Sequence, residues 1–193
     1  MGRMAALRLG AILGIALAGV VVAAGCAAAP RPTGEGVGLQ ALFSGGYRAL
    51  DHDVFDGHPV YAFELATRDD RSGWGYELGG SFATEDAGGA REHSADFDEV
   101  SLGLRRSWRP GSMAQPYLGF GGAMTVVRNV LHSPRSDFDD HGGGAYARGG
   151  VLWDLGSFDV DRGTEVLLGF DVRGFVGDDY NSGELALVLG FGQ

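Results

Sequence analysis

The alternation of residue types along the chain is the feature that most constrains its fold. From Val37 onward, large apolar residues alternate with small or polar ones in eight segments of about ten residues each. One of these segments sets Val100, Leu102 and Leu104 against residues such as Gly103. Alternation with a period of two places the two sets of side chains on opposite faces of a β-strand. Because no stretch after Val37 has the apolar period of an amphipathic helix, the sequence predicts an all-β domain over residues 37–193.

The composition of the second face distinguishes two kinds of barrel. That face is mostly Gly, Ala and Ser, and the chain holds 35 Gly. A soluble sandwich or lipocalin-like barrel that binds an apolar ligand would bury the large apolar face and solvate large charged residues on the other. A membrane barrel instead turns the large apolar face to lipid, and its narrow eight-stranded interior needs small residues. The sequence therefore predicts an eight-stranded antiparallel up-and-down transmembrane β-barrel, with the soluble lipocalin-like lipoprotein as an alternative.

The connections and the tryptophans give this barrel a direction. Residues 50–59, 84–97 and 129–142 are predicted as long external loops, whereas residues 68–73 and 110–116 form short turns. All five His residues fall in the three long loops in this interpretation. Alternation of long and short connections is typical of outer-membrane barrels, whose short turns are periplasmic. Each Trp then lies near the short-turn end on the lipid-facing side, which predicts an interfacial aromatic girdle of Trp74, Trp108 and Trp153.

These features together resemble the small outer-membrane barrels of the OmpA/OmpX type over residues 37–193. The last strand, Glu184 to Phe191, is similar to the C-terminal signal read by the barrel-assembly machinery, although Ala186 replaces a Gly and two residues follow Phe191. The resemblance implies a location in the bacterial outer membrane and contact with outer-membrane lipid. A net charge of −10 argues against nucleic acid as a partner. We expect a structural or surface-interaction role that the external loops carry.

The N-terminus has the features of a targeting segment. Residues 1–25 combine basic Arg3 and Arg8 with an apolar run and small residues, as a secretory signal does. Residues 23–26 resemble the lipobox of bacterial lipoproteins, in which the Cys is acylated, although Ala23 stands where Leu or Val is more usual. The sequence therefore predicts lipidation of Cys26 and a flexible tether over residues 26–36. An ordinary signal peptide with an incidental Cys, or an uncleaved membrane helix, are the alternatives.

Catalytic and metal-binding patterns are weak. Lipid A deacylases of this class carry a His and a Ser two residues apart on one strand face, whereas the two pairs here are adjacent, at 93–94 and 132–133. A palmitoyltransferase-like site would need His52 with Asp51 or Asp53 and Ser44. The His residues and nearby Asp residues of the long loops have no spacing that sets a metal site. We expect no enzymatic activity, no cofactor and no metal, with an outer-membrane lipid-modifying enzyme as the alternative.

Charged residues on the small-residue face predict ion pairs inside the barrel. Aligning the outward-facing residues across the short turn places Glu64 beside Glu77, and alignment across the next connection places Glu77 beside Arg105. The register could slip by two residues, but a slip of one would turn the apolar face inward. These three side chains are therefore expected to form one row in the lumen.

A second interior group follows from the sixth and seventh segments. The same alignment places Arg148 beside Asp171, with Arg173 close by. Buried ions must be paired, because an unpaired one costs several kcal/mol. The sequence therefore predicts a lumen that ion pairs and packed side chains plug, and not an open pore.

Overall fold

The computed structural model is a closed eight-stranded antiparallel barrel in which each strand pairs with its neighbours in sequence and β1 pairs with β8. It describes residues 36–51, 57–87, 93–108, 113–131, 138–159, 164–178 and 180–192. The strands are β1 (Val37–Asp51), β2 (Gly57–Asp69), β3 (Trp74–Ala87), β4 (His93–Ser107), β5 (Ala114–Leu131), β6 (Phe138–Asp159), β7 (Thr164–Gly177) and β8 (Asn181–Gly192). The predicted fold class is confirmed. The predicted leader 1–25, Cys26 and the tether up to residue 35 lie outside the described residues.

The large apolar side chains lie on the outside of the barrel. Leu187 is 72% exposed, and Tyr76, Leu102 and Val172 are also more than half exposed. The sequence neighbours Glu77, Asp171 and Ala186 are buried inside. The lipocalin-like alternative needs the apolar face inside and is therefore wrong. Among the described residues, no helix is long and apolar enough to cross a membrane.

The strands at one end of the barrel run further than the sequence predicted. Their bounds leave residues 52–56, 88–92 and 132–137 between consecutive strands, so the predicted long loops are much shorter. His58, His93 and His141 consequently lie in β2, β4 and β6, and the prediction that no His lies in a strand is wrong. The hairpins continue because paired backbone groups satisfy one another's hydrogen bonds. His52 and His132 lie outside the described residues.

The predicted registers are wrong by two residues at both the β2–β3 and the β3–β4 pairings. Glu64 lies opposite Gly79, and Arg105 lies opposite Gly75, so neither is directly beside Glu77. Each charged residue nevertheless keeps its predicted face, because the side-chain period of a strand is two. The alternation of apolar and small residues constrains only which face a residue takes, and the turn chemistry sets the remaining choice.

The β6–β7 register is also shifted by two. Arg148 lies opposite Arg173, and Asp171 lies opposite Gly150. The ladder is irregular between residues 154 and 159, where Gly156 has a φ of 111°. A side chain at that φ is strained, which favours Gly there. β6 also continues past Trp153, which the sequence placed at the end of its strand.

Candidate functional site in the barrel interior

The interior consists of two apolar clusters with a charged layer between them. One cluster, called the outer cluster here, comprises Val60, Ala83, Phe97, Ala123, Tyr146, Phe175 and Tyr180. The other, the turn-side cluster, comprises Leu42, Tyr117, Leu152, Leu167 and Val188. Along β7, the inward residues run from Leu167 through Asp171 and Arg173 to Phe175, which places the charges between the clusters.

The charged layer has one group of ion pairs next to the outer cluster. Arg48 is 1% exposed, and its Nη2 lies 2.9 Å from Glu184 Oε2 and donates to Ser81 Oγ at 2.9 Å. Arg48 Nη1 lies 3.6 Å from Glu99 Oε2. The second oxygen of Glu99 is 2.5 Å from Arg173 Nη2. Glu99 on β4 therefore bridges two arginines that come from β1 and β7, the strands on either side of β8.

A second group of ion pairs lies next to the turn-side cluster. Arg105 Nη1 lies 2.8 Å from Glu64 Oε1, and Arg148 Nη1 contacts the other oxygen of Glu64. Arg148 Nη2 lies 2.8 Å from Asp171 Oδ2, and its Nη1 lies 4.0 Å from Glu77 Oε2. Arg148 is thus shared by three carboxylates, which offsets its position directly opposite Arg173 in the sheet.

Two tyrosines connect the ion pairs to the apolar clusters. The Tyr146 hydroxyl donates to Glu77 Oε1 at 2.6 Å, and the Tyr117 hydroxyl donates to Asp171. The Arg105 guanidinium stacks 3.6 Å from the centre of the Tyr117 ring. Cation–π contacts of this kind are strongest where water is excluded. The tyrosines therefore satisfy carboxylate oxygens while their rings pack as apolar groups.

Glycines in the wall make room for these side chains. A Cβ on Gly119 would lie 2.7 and 2.9 Å from the two carboxylate oxygens of Glu77. A Cβ on Gly103 would overlap the Tyr146 hydroxyl and a backbone oxygen. In the narrow interior of an eight-stranded barrel, a missing side chain on one strand leaves space for a long one from another strand.

The six residues of the predicted network all lie inside the barrel, namely Glu64, Glu77, Arg105, Arg148, Asp171 and Arg173. The contact expected between Glu77 and Arg105 is replaced by contacts of Glu77 with Tyr146 and Arg148. Sequence reasoning missed Arg48, Glu99 and Glu184. The last two were visible on the small-residue face, and Arg48 lies directly opposite Glu184 at the β1–β8 closure.

A cavity of about 30 Å³ lies beside the charged layer, where Ser44, Ala62, Gly79, Ser81 and Ser101 line the wall. A space of this size holds about two water molecules. No group of three or more potential ligands among the described residues could hold a metal ion.

Aromatic side chains close the end of the barrel opposite the short turns, which is called the outer end here. His58 is 1% exposed and stacks on Phe97, with ring centres 4.6 Å apart. Tyr180, in the connection between β7 and β8, packs against Phe97 and Phe175 at 5.9 and 5.2 Å between ring centres. Burial raises the pKa of Tyr180 to about 12. The Tyr180 hydroxyl therefore stays neutral at ordinary pH.

The three predicted girdle residues lie on the outside near the other end. Trp74 begins β3, Trp108 follows β4, and Trp153 lies near the end of β6 that leads to β7. Trp74 is 41% exposed, and Trp108 and Trp153 are each 37% exposed. Trp153 packs on Phe170, with ring centres 5.7 Å apart. Gly36 and Gly192, the first and last described residues, lie at this same end of the barrel, because Val37 pairs with Asp69 and Gly192 with Glu165.

Comparison with known proteins shows a likeness of fold. No protein-family model and no curated protein matches the chain. The attachment invasion locus protein Ail of Yersinia pestis aligns with a TM-score of 0.59 at 11% identity, covering 82% of this chain and 99% of Ail. Ail in complex with the heparin analogue sucrose octasulfate gives 0.58 at 12% identity with the same coverage. The outer membrane protein OprG of Pseudomonas aeruginosa gives 0.49 at 15% identity, covering 81% and 93% of the two chains.

Proposed function

We propose that this chain is an outer-membrane β-barrel protein with a closed interior, no enzymatic activity and a surface-interaction role at its outer end. The observation that carries the proposal is the inverted distribution of side chains, with apolar residues outside and ion pairs inside. An exposed apolar surface that surrounds a whole domain is unfavourable in water and matches a lipid environment. The barrel likeness to Ail supports the fold that this location requires.

The height of the apolar band fits a bilayer. On the outside of β4, Val100, Leu102 and Leu104 lie between Asp98 and Arg106. The eight residue steps from Asp98 to Arg106 rise about 20 Å along the axis, given about 3.3 Å per step and a strand tilt of about 40°. Outer-membrane barrels have an apolar band about 25 Å tall. The charged residues at both limits would then lie at the headgroups.

Extraction and gel mobility test the membrane location. Residues 27–193, expressed without the leader and refolded in detergent, should migrate differently on SDS gels before and after boiling. The full chain in membranes should resist carbonate extraction. If residues 27–193 stay soluble and monomeric without detergent, the membrane location is wrong.

The closed interior is supported by the layered packing. The inward residues of β6 belong to three successive layers along the barrel axis. Tyr146 lies in the outer cluster, Arg148 in the charged layer and Leu152 in the turn-side cluster. The cavity beside them has room for about two waters. Liposomes that contain the refolded barrel should therefore not swell faster in small sugars than protein-free liposomes. Swelling at the rate given by a porin at equal protein density would refute the plug.

The absence of enzymatic activity is supported by the positions of the candidate catalytic residues. His93 and Ser94 are consecutive residues of β4, whereas the deacylase pair lies two residues apart on one strand face. Ser44 and Asp51 lie on the same strand, seven residues and about 23 Å apart, so they do not form one site. Incubation of the barrel with lipid A and phospholipid should release no fatty acid and transfer no acyl chain. Release above a boiled control would favour the lipid-modifying alternative.

The surface-interaction role is supported by the charge of the outer end. Asp51 and Asp178 are exposed there, and Asp98 lies at the upper limit of the apolar band. Ail, by contrast, has been crystallised with a polyanion, sucrose octasulfate. The acidic outer end here favours a cationic or neutral partner. Intact cells that display the barrel should bind a cationic peptide and not heparin at physiological salt, and the reverse preference would contradict this role.

A further inference from the structure

We propose that Arg106, Trp74 and Trp108 form a binding site for the phosphate group of an anionic phospholipid at the turn-side rim of the barrel. This inference rests on the proposed membrane location. The three residues are called the Arg106 site below. They are separate from the interior ion pairs, because Arg106 takes the outer face of β4 while its neighbour Arg105 is buried inside.

The position of Arg106 is unusual for a charged residue on the outer wall. The outward residues that precede it on β4 are Leu104, Leu102 and Val100, which form the apolar band. Arg106 comes at the end of this band, next to the connection that leads to β5. A cation at this depth lies at the level of lipid headgroups and not among acyl chains.

Two indole rings hold the guanidinium in place. Trp74 lies directly opposite Arg106 in the sheet, and Trp108 follows two residues later on the same face. The Arg106 Cζ lies 5.4 Å from the centre of the Trp74 ring and 5.5 Å from that of Trp108. Trp74 is itself fixed by an edge-on contact with Phe120 at 6.5 Å. Cation–π contacts at these distances restrict the side chain before any ligand binds.

The donors of Arg106 are not used within the part of the chain that the structure describes. No hydrogen bond or ion pair joins Arg106 to another described residue, whereas the interior arginines each contact at least one carboxylate. A guanidinium carries five N–H donors in a planar fork, which suits the oxygens of a phosphate. The contacts with the two rings leave this hydrogen-bonding capacity available for a ligand.

The nearest acidic turn does not supply that ligand. Asp70 pairs with Arg68, with 3.2 Å between Oδ1 and Nε. Asp69 Oδ1 accepts the backbone N–H groups of Arg71 and Ser72 at 2.8 and 3.2 Å. Because these carboxylates are engaged within the turn, Arg106 is left with a net positive charge toward the membrane. An anionic headgroup fits it better than a zwitterionic one, whose own cation already neutralises the phosphate.

Tryptophan quenching by brominated lipid tests the site. The chain has three Trp, so Trp153→Phe leaves Trp74 and Trp108 as the reporters. This background variant is refolded into phosphatidylcholine vesicles that contain increasing fractions of dibrominated phosphatidylglycerol, or of dibrominated phosphatidylcholine in a parallel series. We expect half-maximal quenching at an about fivefold lower fraction of the anionic lipid, the preference that one basic residue near a membrane surface gives. Equal curves for the two lipids would overturn the proposal.

Two variants assign the preference to Arg106. Arg106→Gln should make the two quenching curves coincide, whereas Arg71→Gln, which removes the same charge from the neighbouring turn, should keep the fivefold difference. Loss of the preference in both variants would show a general effect of charge and overturn the site. If Arg106→Gln does not fold, as judged by heat-modifiable gel mobility, Arg106→Lys serves instead. It should reduce the preference because an ammonium lacks the planar fork, and an unchanged preference would overturn the role of the Arg geometry.

Two further results distinguish a lipid phosphate from free phosphate, and a wrong binding site from a wrong membrane location. Adding inorganic phosphate at 50 mM to the vesicles should leave the preference for anionic lipid in place. If it removes the preference, the site takes a free phosphate and not a lipid. If neither brominated lipid quenches the tryptophans at all, the membrane location itself is wrong, a result distinct from equal quenching by both lipids.

Discussion

Replacing Arg105 with alanine measures how much the interior ion pairs contribute to the stability of the barrel. Arg105 is 2% exposed, pairs with Glu64 at 2.8 Å and stacks on Tyr117 at 3.6 Å. Breaking a buried ion pair by removing one partner costs about 3–5 kcal/mol, because the remaining charge is left in the interior. Glu64 keeps its contact with Arg148, but the loss of stacking on Tyr117 offsets that benefit. We therefore expect Arg105→Ala to lower the free energy of unfolding by about 3–5 kcal/mol.

Urea unfolding of the barrel refolded into lipid vesicles, followed by tryptophan fluorescence, measures this change. Arg71→Ala in the exposed turn is the matched control, and it should change the free energy of unfolding by less than about 1 kcal/mol, the most that an exposed contact contributes. The double replacement Arg105→Met with Glu64→Gln should recover most of the loss, since no unpaired charge remains. A loss below about 1 kcal/mol for Arg105→Ala, the size expected of a solvent-exposed pair, would refute the reasoning.

Three further predictions concern other parts of the chain. Gly103→Ala should destabilise the barrel by about 1–3 kcal/mol, because the new methyl group displaces Tyr146. As the control, a Cβ at Gly174 meets no atom within 4 Å, so Gly174→Ala should change the free energy of unfolding by less than about 0.5 kcal/mol in the same urea assay. Equal effects of the two replacements would contradict the packing role of Gly103. Because burial raises the pKa of Tyr180 to about 12, the wild type should lose stability as the pH rises from about 10 toward 12. Tyr180→Phe should lose less stability over this range, and parallel pH profiles of the two proteins would argue against this titration. Cys26→Ala should abolish metabolic labelling with palmitate, and a wild type that never incorporates label would refute the lipid anchor.

The sequence predicts which face of its strand each residue takes, but it does not predict the register between neighbouring strands. Glu64 and Arg105 lie inside because the outward-facing apolar pattern fixes the parity of β2 and β4. Their offset by two residues from the predicted partners leaves that pattern unchanged, so alternation could not detect it. At the β2–β3 turn, the Asp69 carboxylate binds two backbone N–H groups and Gly73 takes a φ of 73°. The alternation of apolar and small residues does not encode these local details of the turn.

Sequence reasoning missed interior residues at two places. One is the pairing of β1 with β8, and the other is the part of the strands that extends beyond the apolar band. Arg48 and Glu184 are 136 positions apart in sequence and meet at the β1–β8 pairing, which no turn connects. The sequence predicts His58 in the long loop over residues 50–59. In the structure His58 belongs to β2 and stacks inside on Phe97. An alignment of β1 with β8 would have exposed the first pair.

Single-channel recording in planar lipid bilayers tests a membrane-inserted barrel with a closed interior most directly. Folding is verified beforehand by heat-modifiable gel mobility of the same preparation, so that an absence of conductance cannot result from failed refolding. We expect the wild type to give no steady conductance steps in 1 M KCl, because the ion pairs of Arg48, Arg105, Arg148 and Arg173 and the two apolar clusters fill the lumen. Steady steps comparable to those of a porin, recorded from the inserted wild type, would contradict a closed interior.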